Sequence, residues 1–177
     1  MSTMLCLPPE TTIIRSMRTL VVYYSLTGNT RKVAEALADA LQGELSEIKC
    51  DRYRRGILGY FRAGFDGARG NLPTIDIPPT KSDVYDLIVV GAPIWTGIPA
   101  VPICSYLTER GKQFKNVGLF LTHGGRSLPA RAFERMEALL PNPAVAKFSV
   151  MTEDVRRDRF GDALQSFVAT ITAKQAA

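Results

Sequence analysis

Three short stretches of the chain are apolar almost without interruption: Leu20 to Tyr24, the core of YDLIVVGAP (85–93), and the core of NVGLFLT (116–122). Runs of this length, rich in β-branched and aromatic residues, predict strands buried on both faces. Between the first two, the period changes. Val33, Ala36, Leu37, Ala40 and Leu41 recur at helical spacing across residues 29–42, with Arg31, Lys32, Glu35 and Asp39 at the other positions. Gly43 is placed to end that helix. Glu44 to Cys50 alternate polar and apolar, as in a shorter strand nearer an edge. Further helices are predicted over residues 99–110, 129–140 and 159–174, and a last strand over Val145–Met151. Pro99 or Pro102 stands near the start of the first of these helices, and Gly111 lies just past its end.

Residues 51–80 break the rhythm. Ile57, Leu58, Phe61 and Phe65 suit one helical face, but glycines at 56, 59, 64, 67 and 70 oppose a stable isolated helix. The stretch predicts a short helix or structured excursion, followed by a loop marked by Pro73, Pro78 and Pro79.

Strands alternating with helices imply right-handed crossovers and an α/β fold with a mainly parallel sheet covered on both faces. The pattern holds five strands and about five helices. Such sheets take ligands beyond the carboxyl ends of their strands. The loops that matter are then residues 25–30, 92–98 and 122–128.

Length and composition narrow this picture. The 177 residues, 46% hydrophobic and 22% charged, suit one globular domain, expected over residues 17–177. Residues 1–16 read as a mobile tail. They have no basic leader, and Pro8, Pro9 and Glu10 interrupt any apolar core, so they do not read as a signal peptide. Met17 is a candidate start. The apolar run Leu87–Trp95 is too short for a membrane span. Cys6, Cys50 and Cys104 form no CxxC and are odd in number, which fits a reducing cytoplasm; Cys50 and Cys104 read as buried small hydrophobes. One histidine and no CxxC exclude a structural zinc, and no catalytic triad is present.

The 22 basic and 17 acidic side chains leave a net charge of +5. Residues 52–70 carry five arginines against Asp66 alone. Such a patch suits an acidic protein partner, a nucleic acid, an anionic membrane or plain solvent. No nucleic-acid recognition motif accompanies it.

The chemistry concentrates in SLTGNT, Ser25–Thr30, between the first strand and the first helix. A helix N-terminus offers unpaired N–H groups and partial positive charge. Ser25, Thr27, Asn29 and Thr30 add hydroxyl and amide donors, and Gly28 lets the backbone come close. The loop holds no lysine or arginine, so it suits a phosphate bound by neutral donors. It is neither a Walker A loop nor a GxGxxG turn. The same residue types also suit a simple helix cap, and the residues alone leave both readings open.

YYSLTGNTRKVAEALA resembles the phosphate loop and first helix of flavodoxins, whose pattern is S/T-x-T-G-N-T. DLIVVGAPIWTGIP resembles the flavodoxin strand and loop that carry an aromatic residue against the flavin. VGLFLTHGGRS resembles the third flavin loop in a Thr-x-Gly-Gly variant. The three occur in family order, and the resemblance covers roughly residues 18–175. It implies a five-stranded parallel sheet in the order 2-1-3-4-5 and FMN as cofactor. Ser25, Leu26, Thr27, Gly28, Asn29 and Thr30 would hold the FMN phosphate. Pro93, Ile94, Trp95, Thr96 and Gly97 would line one side of the isoalloxazine. Thr122, His123, Gly124 and Gly125 would offer backbone N–H groups to its pyrimidine edge.

Trp95, the sole tryptophan, is expected in an exposed loop, either stacked on the flavin or folded over the following helix. His123, the sole histidine, would either place its ring at the flavin edge or contribute only its backbone. Arg126 presents the same alternatives. The third loop, THGGRSLP, departs from the family in having no aromatic before Phe133, which means either a flavin face open to a flat substrate or looser FMN binding. Thr96 separates Trp95 from Gly97, a second departure. The resemblance implies an FMN-binding flavoprotein that transfers electrons through the bound flavin; as a carrier it would need a redox partner, and its basic surface predicts an acidic one. The alternatives are an oxidoreductase that passes electrons from NAD(P)H to quinones, and a binding module that has lost FMN.

Overall fold

The computed structural model describes residues 17–53, 72–76, 82–125 and 129–175. In chain order the elements are β1 (Thr19–Tyr23), α1 (Asn29–Leu41), β2 (Glu44–Glu47), β3 (Leu87–Trp95) and β4 (Ile98–Pro99). There follow α2 (Val101–Arg110), β5 (Val117–His123), α3 (Pro129–Glu137), β6 (Ala146–Met151), α4 (Thr152–Arg156) and α5 (Gly161–Gln175). The expected tail 1–16, the excursion over Ile57–Phe65 and Arg126 lie outside the described residues.

The main strands lie in the order β2-β1-β3-β5-β6, with the two-residue β4 paired to β3 alone. All the main pairings are parallel. With β4 set aside, this is the expected 2-1-3-4-5 order. The chain steps from β1 to one side for β2 and to the other for β3, so the crossover direction reverses beside β1. That reversal opens a crevice at the carboxyl end of β1 and β3.

Alternation along each strand divides the core in two. Leu20, Val22, Ile88, Val90, Leu119 and Leu121 face one way, toward α2 and α3 residues such as Ile103, Leu107, Ala132 and Met136. Val21, Tyr23, Val89 and Phe120 face the other way, toward Val33 and Leu37 of α1 and Phe167 and Ile171 of α5. α1 buries Thr30, Val33, Ala34, Leu37 and Ala38; of the expected stripe Val33 and Leu37 are buried, Ala36 and Leu41 are half-buried and Ala40 is exposed, so the buried face is turned toward Ala34 and Ala38.

Several boundaries differ from the sequence expectation, each for a local reason. β2 stops at Glu47 because its partner β1 ends at Tyr23; the Tyr23 carbonyl accepts the Ile48 N–H at 2.8 Å, and Lys49 then makes a single bridge to Asp76. Gly91 was expected near a loop but lies mid-strand, because Phe120 of β5 occupies the space its side chain would take. β3 runs on to Trp95. Pro93 is tolerated there because β1 has already ended opposite Gly91, so no acceptor of β1 waits for its missing N–H. At the end of α1, Gln42 takes the left-handed conformation (φ 48°), not Gly43. Gly43 sits against Thr19, whose carbonyl oxygen would be 3.0 Å from an added Cβ. α3 ends at Glu137, and residues 138–140 tighten into shorter turns. The five-residue α4 was not anticipated: Val155 is its only buried residue, so it has no apolar period to read.

Cys104 is buried in α2 and its thiol lies 3.7 Å from the Pro99 carbonyl oxygen; burial pushes it up to about 11, so it stays protonated at neutral pH. Cys50 is also buried. Among the described residues, no helix is long and apolar enough to cross a membrane.

Candidate flavin site

The loop after β1 is ordered by its own side chains. Ser25 Oγ accepts the Gly28 N–H at 3.1 Å, and Asn29 Nδ2 donates to Thr27 Oγ1 at 2.9 Å. Gly28 is the N-cap of α1, with φ 88°, in the left-handed region that suits glycine. The first helical bond runs from Lys32 N–H to the Gly28 carbonyl, and no side chain caps the first turn. The reading of SLTGNT as a simple cap is therefore not what the loop does. The Ser25 and Thr27 hydroxyls bond within the loop, and the first-turn amides of α1 keep their donor capacity and partial positive charge.

Thr30 and Thr122 tie this loop to the third one. Their hydroxyl oxygens are 2.7 Å apart, and the residues are only 1% and 2% exposed. One hydroxyl donates to the other, which leaves a single hydroxyl proton for anything above them.

The loop after β3 is a tight hairpin. Thr96 (φ 48°) and Gly97 (φ 84°) are its two central residues, and positive φ at both is the signature of a type I′ turn. The turn folds Ile98 onto Trp95 and Pro99 onto Ile94. This corrects the expectation of an exposed Trp95. The residue closes a strand, is 5% exposed, and is held edge-on by Tyr24 and Tyr53, each with ring centroids 5.5 Å away. Burial pushes the Tyr24 phenol far above its ordinary range, so it stays neutral beside the indole.

In the third loop, His123 is half-buried and its Nδ1 lies 2.9 Å from the Gly124 carbonyl oxygen. A carbonyl only accepts, so Nδ1 carries the proton and donates. The backbone of Gly124 and Gly125 is exposed.

These loops enclose a cavity of about 210 Å³ at the carboxyl end of the sheet. Leu26, Thr27, Asn29, Thr30, Pro93, Ile94, Trp95, Thr122, His123 and Gly124 line it. Ser25 and Gly28 stand behind this lining and shape the loop. Thr96 and Gly97 form the hairpin tip, and Gly125 follows the lining residues. Thr152 and Arg156 of α4 also line the cavity and were missed from sequence. TEDVRRDR is charged at nearly every position, with no apolar period to single it out. The available signal was its position, directly beyond the carboxyl end of β6, the same rule that singled out the other three loops.

The residues fit a flavin mononucleotide. Uncapped helix amides suit its phosphate, and an apolar wall of Pro93, Ile94 and Trp95 suits its ring system. Among the described residues, no group of three or more His, Cys, Asp or Glu side chains is placed to hold a metal ion.

A doubly wound sheet with these loops at its switch point is the α/β architecture that takes ligands beyond the carboxyl ends of its strands. The flavodoxin family model matches residues 18–167, and the chain belongs to that family. It is similar to a flavoprotein from Lactobacillus acidophilus solved in complex with FMN, at 26% identity and a TM-score of 0.64, covering 82% of this chain and 99% of that one. A putative flavoprotein from Bacteroides uniformis shares the fold, with a TM-score of 0.67 at 23% identity over 81% of this chain and 97% of that one. Over 99 residues the chain is 27% identical to an NAD(P)H dehydrogenase (quinone) from Archaeoglobus fulgidus. That alignment spans 54% of this chain and about half the length of the relative (52%).

Proposed function

We propose that this protein binds FMN in the cavity above Thr30 and Thr122 and transfers electrons through it. The observation that carries this is the uncapped first turn of α1, facing a cavity with an apolar wall, in a chain of the flavodoxin family. The similarity to a flavoprotein solved with FMN supports the choice of flavin. When bound, the flavin supplies one- and two-electron redox chemistry that side chains lack.

The residues then divide the labour. The amides of Asn29 and Thr30 hold the phosphate. Pro93, Ile94 and Trp95 exclude water from one face of the ring, with Thr96 and Gly97 at its rim. The Gly124 and Gly125 amides hydrogen-bond the pyrimidine edge, beside His123 with its proton on Nδ1. The absence of an aromatic in THGGRSLP before Phe133 leaves the opposite face accessible. The net charge of +5 favours an acidic redox partner.

A second reading is a small oxidoreductase that takes hydride from NAD(P)H and reduces a quinone. The open face and the similarity to a quinone-reducing NAD(P)H dehydrogenase favour it. Absorption spectroscopy of the purified chain, before and after adding FMN, tests the shared premise. Flavin bands that stay with the protein, together with quenching of Trp95 fluorescence, are expected. A colourless chain that takes up no FMN returns the fold to the binding-module alternative. Steady-state turnover with NADPH and a quinone then separates reductase from carrier.

A further inference from the structure

α4 leaves the carboxyl end of β6 and packs against α1 at its phosphate-loop end. Lys32 of α1 reaches Asp158, just past α4, with Nζ 2.6 Å from Oδ1. Three arginines lie in this segment, and two have acceptors. Arg157 Nη2 is 2.7 Å from Glu153 Oε1, and Arg159 Nη2 is 2.9 Å from Asp154 Oδ1. Arg156 has no ion-pair partner among the described residues and lines the cavity with Thr27, Asn29, Thr30 and Thr152. No carboxylate shares that lining, and Ser25–Thr30 contain no cation. Among the described residues, Arg156 is thus the one charged side chain that this wall presents, and it comes from a crossover remote in sequence.

Resting on the flavin reading above, we propose that Arg156 binds the phosphate monoester of the nucleotide seated on Ser25–Thr30. A planar guanidinium matches two phosphate oxygens at once, which a lysine does not. The loop then supplies neutral donors from below, and Arg156 supplies charge from the side. The arrangement makes the site selective for the phosphorylated flavin over its unphosphorylated form. It also gives Glu153 and Asp154 a role: by occupying Arg157 and Arg159, they leave Arg156 free to turn inward.

The test compares FMN with riboflavin, which differ only in the phosphate. The full chain, stripped of flavin, is titrated with each by fluorescence, as the parent and as R156A, R156K and R157A. R156A is expected to weaken FMN binding by about 10- to 100-fold, the loss typical of a charge-assisted hydrogen bond, and to leave riboflavin affinity unchanged. R156K should fall between parent and R156A, and R157A should match the parent. The salt dependence of FMN affinity should shrink in R156A. FMN affinity in R156A equal to the parent overturns the proposal, as does an equal loss for both flavins, which would make Arg156 a scaffold residue. A parent chain that binds neither flavin overturns the flavin reading itself and the proposal with it.

Discussion

In the middle of the sheet, Gly91 of β3 faces the Phe120 ring so closely that an added Cβ would stand 1.9 Å from Cζ. Gly118 of β5 stands in the same way beneath Phe167, at 2.8 Å. At the rim of the same sheet, Gly28 and Gly97 have nothing within 4 Å of where a Cβ would be, yet their φ angles are 88° and 84°. The interior glycines give up volume so that an aromatic ring from a neighbouring strand or helix can occupy it. The rim glycines bend backbone so that a loop can turn beside the cavity. One residue type serves packing in one region and loop geometry in the other, and the two uses respond differently to substitution.

Gly91→Ala breaks the interior use and carries the largest expected effect. The close atoms belong to a fully buried ring that is itself stacked with Phe148, so it has little room to move. Overpacking of this severity costs about 3 kcal/mol or more, or a fall in Tm of about 6–12 °C for a domain of this size. Denaturant unfolding measures it. A Gly91→Ala/Phe120→Leu pair should recover part of the loss, and a double-mutant cycle then gives the coupling. FMN affinity per folded molecule should be unchanged, since neither residue lines the cavity.

The Thr30–Thr122 pair sits on the border between the two regions, and its expected effect is intermediate. Removing either hydroxyl, as Thr30→Val or Thr122→Val, leaves its partner buried without that bond and costs about 1–2 kcal/mol. Removing both should cost less than the sum of the singles, because no orphan remains. Additive losses in unfolding experiments would mean that the 2.7 Å contact contributes little. The pair also separates stability from binding. If the remaining hydroxyl proton serves a ligand, the double variant should bind FMN more weakly than its stability loss explains.

The same contrast explains what the chain disclosed before folding. The layered α/β fold was legible because burial on two faces leaves long apolar runs, and SLTGNT stood out because a strand-to-helix turn needs small polar residues; the strand order followed only from the resemblance to flavodoxins, since apolar runs say nothing of which strand lies beside which. Trp95 was misplaced because nothing local in PIWTGIP announces that Thr96 and Gly97 both take positive φ and extend the strand. Gly91 looked like loop punctuation because its real partner, Phe120, is supplied by another strand. Arg156 was missed for a third reason. Its segment is charged throughout, and only the tertiary pairing of Arg157 and Arg159 distinguishes the arginine left over. What is local and periodic is readable; what depends on a partner far along the chain is not.

The smallest effects belong to the rim, where they discriminate most. Gly28→Ala and Gly97→Ala meet no clash, so each pays only for a left-handed backbone, about 1–2 kcal/mol. In unfolding experiments the two should look alike. In FMN titrations they should differ. Gly28 caps the turn whose amides would hold the phosphate, and a shift in its φ moves those donors directly. Gly97 stands at a hairpin tip beyond the cavity lining, where a change in backbone reaches the ligand only through Trp95 and Ile94. Gly28→Ala should therefore weaken FMN binding while Gly97→Ala leaves it near the parent value. Equal weakening by both would show instead that the hairpin tip closes onto the bound flavin, joining the first and second loops into one continuous wall.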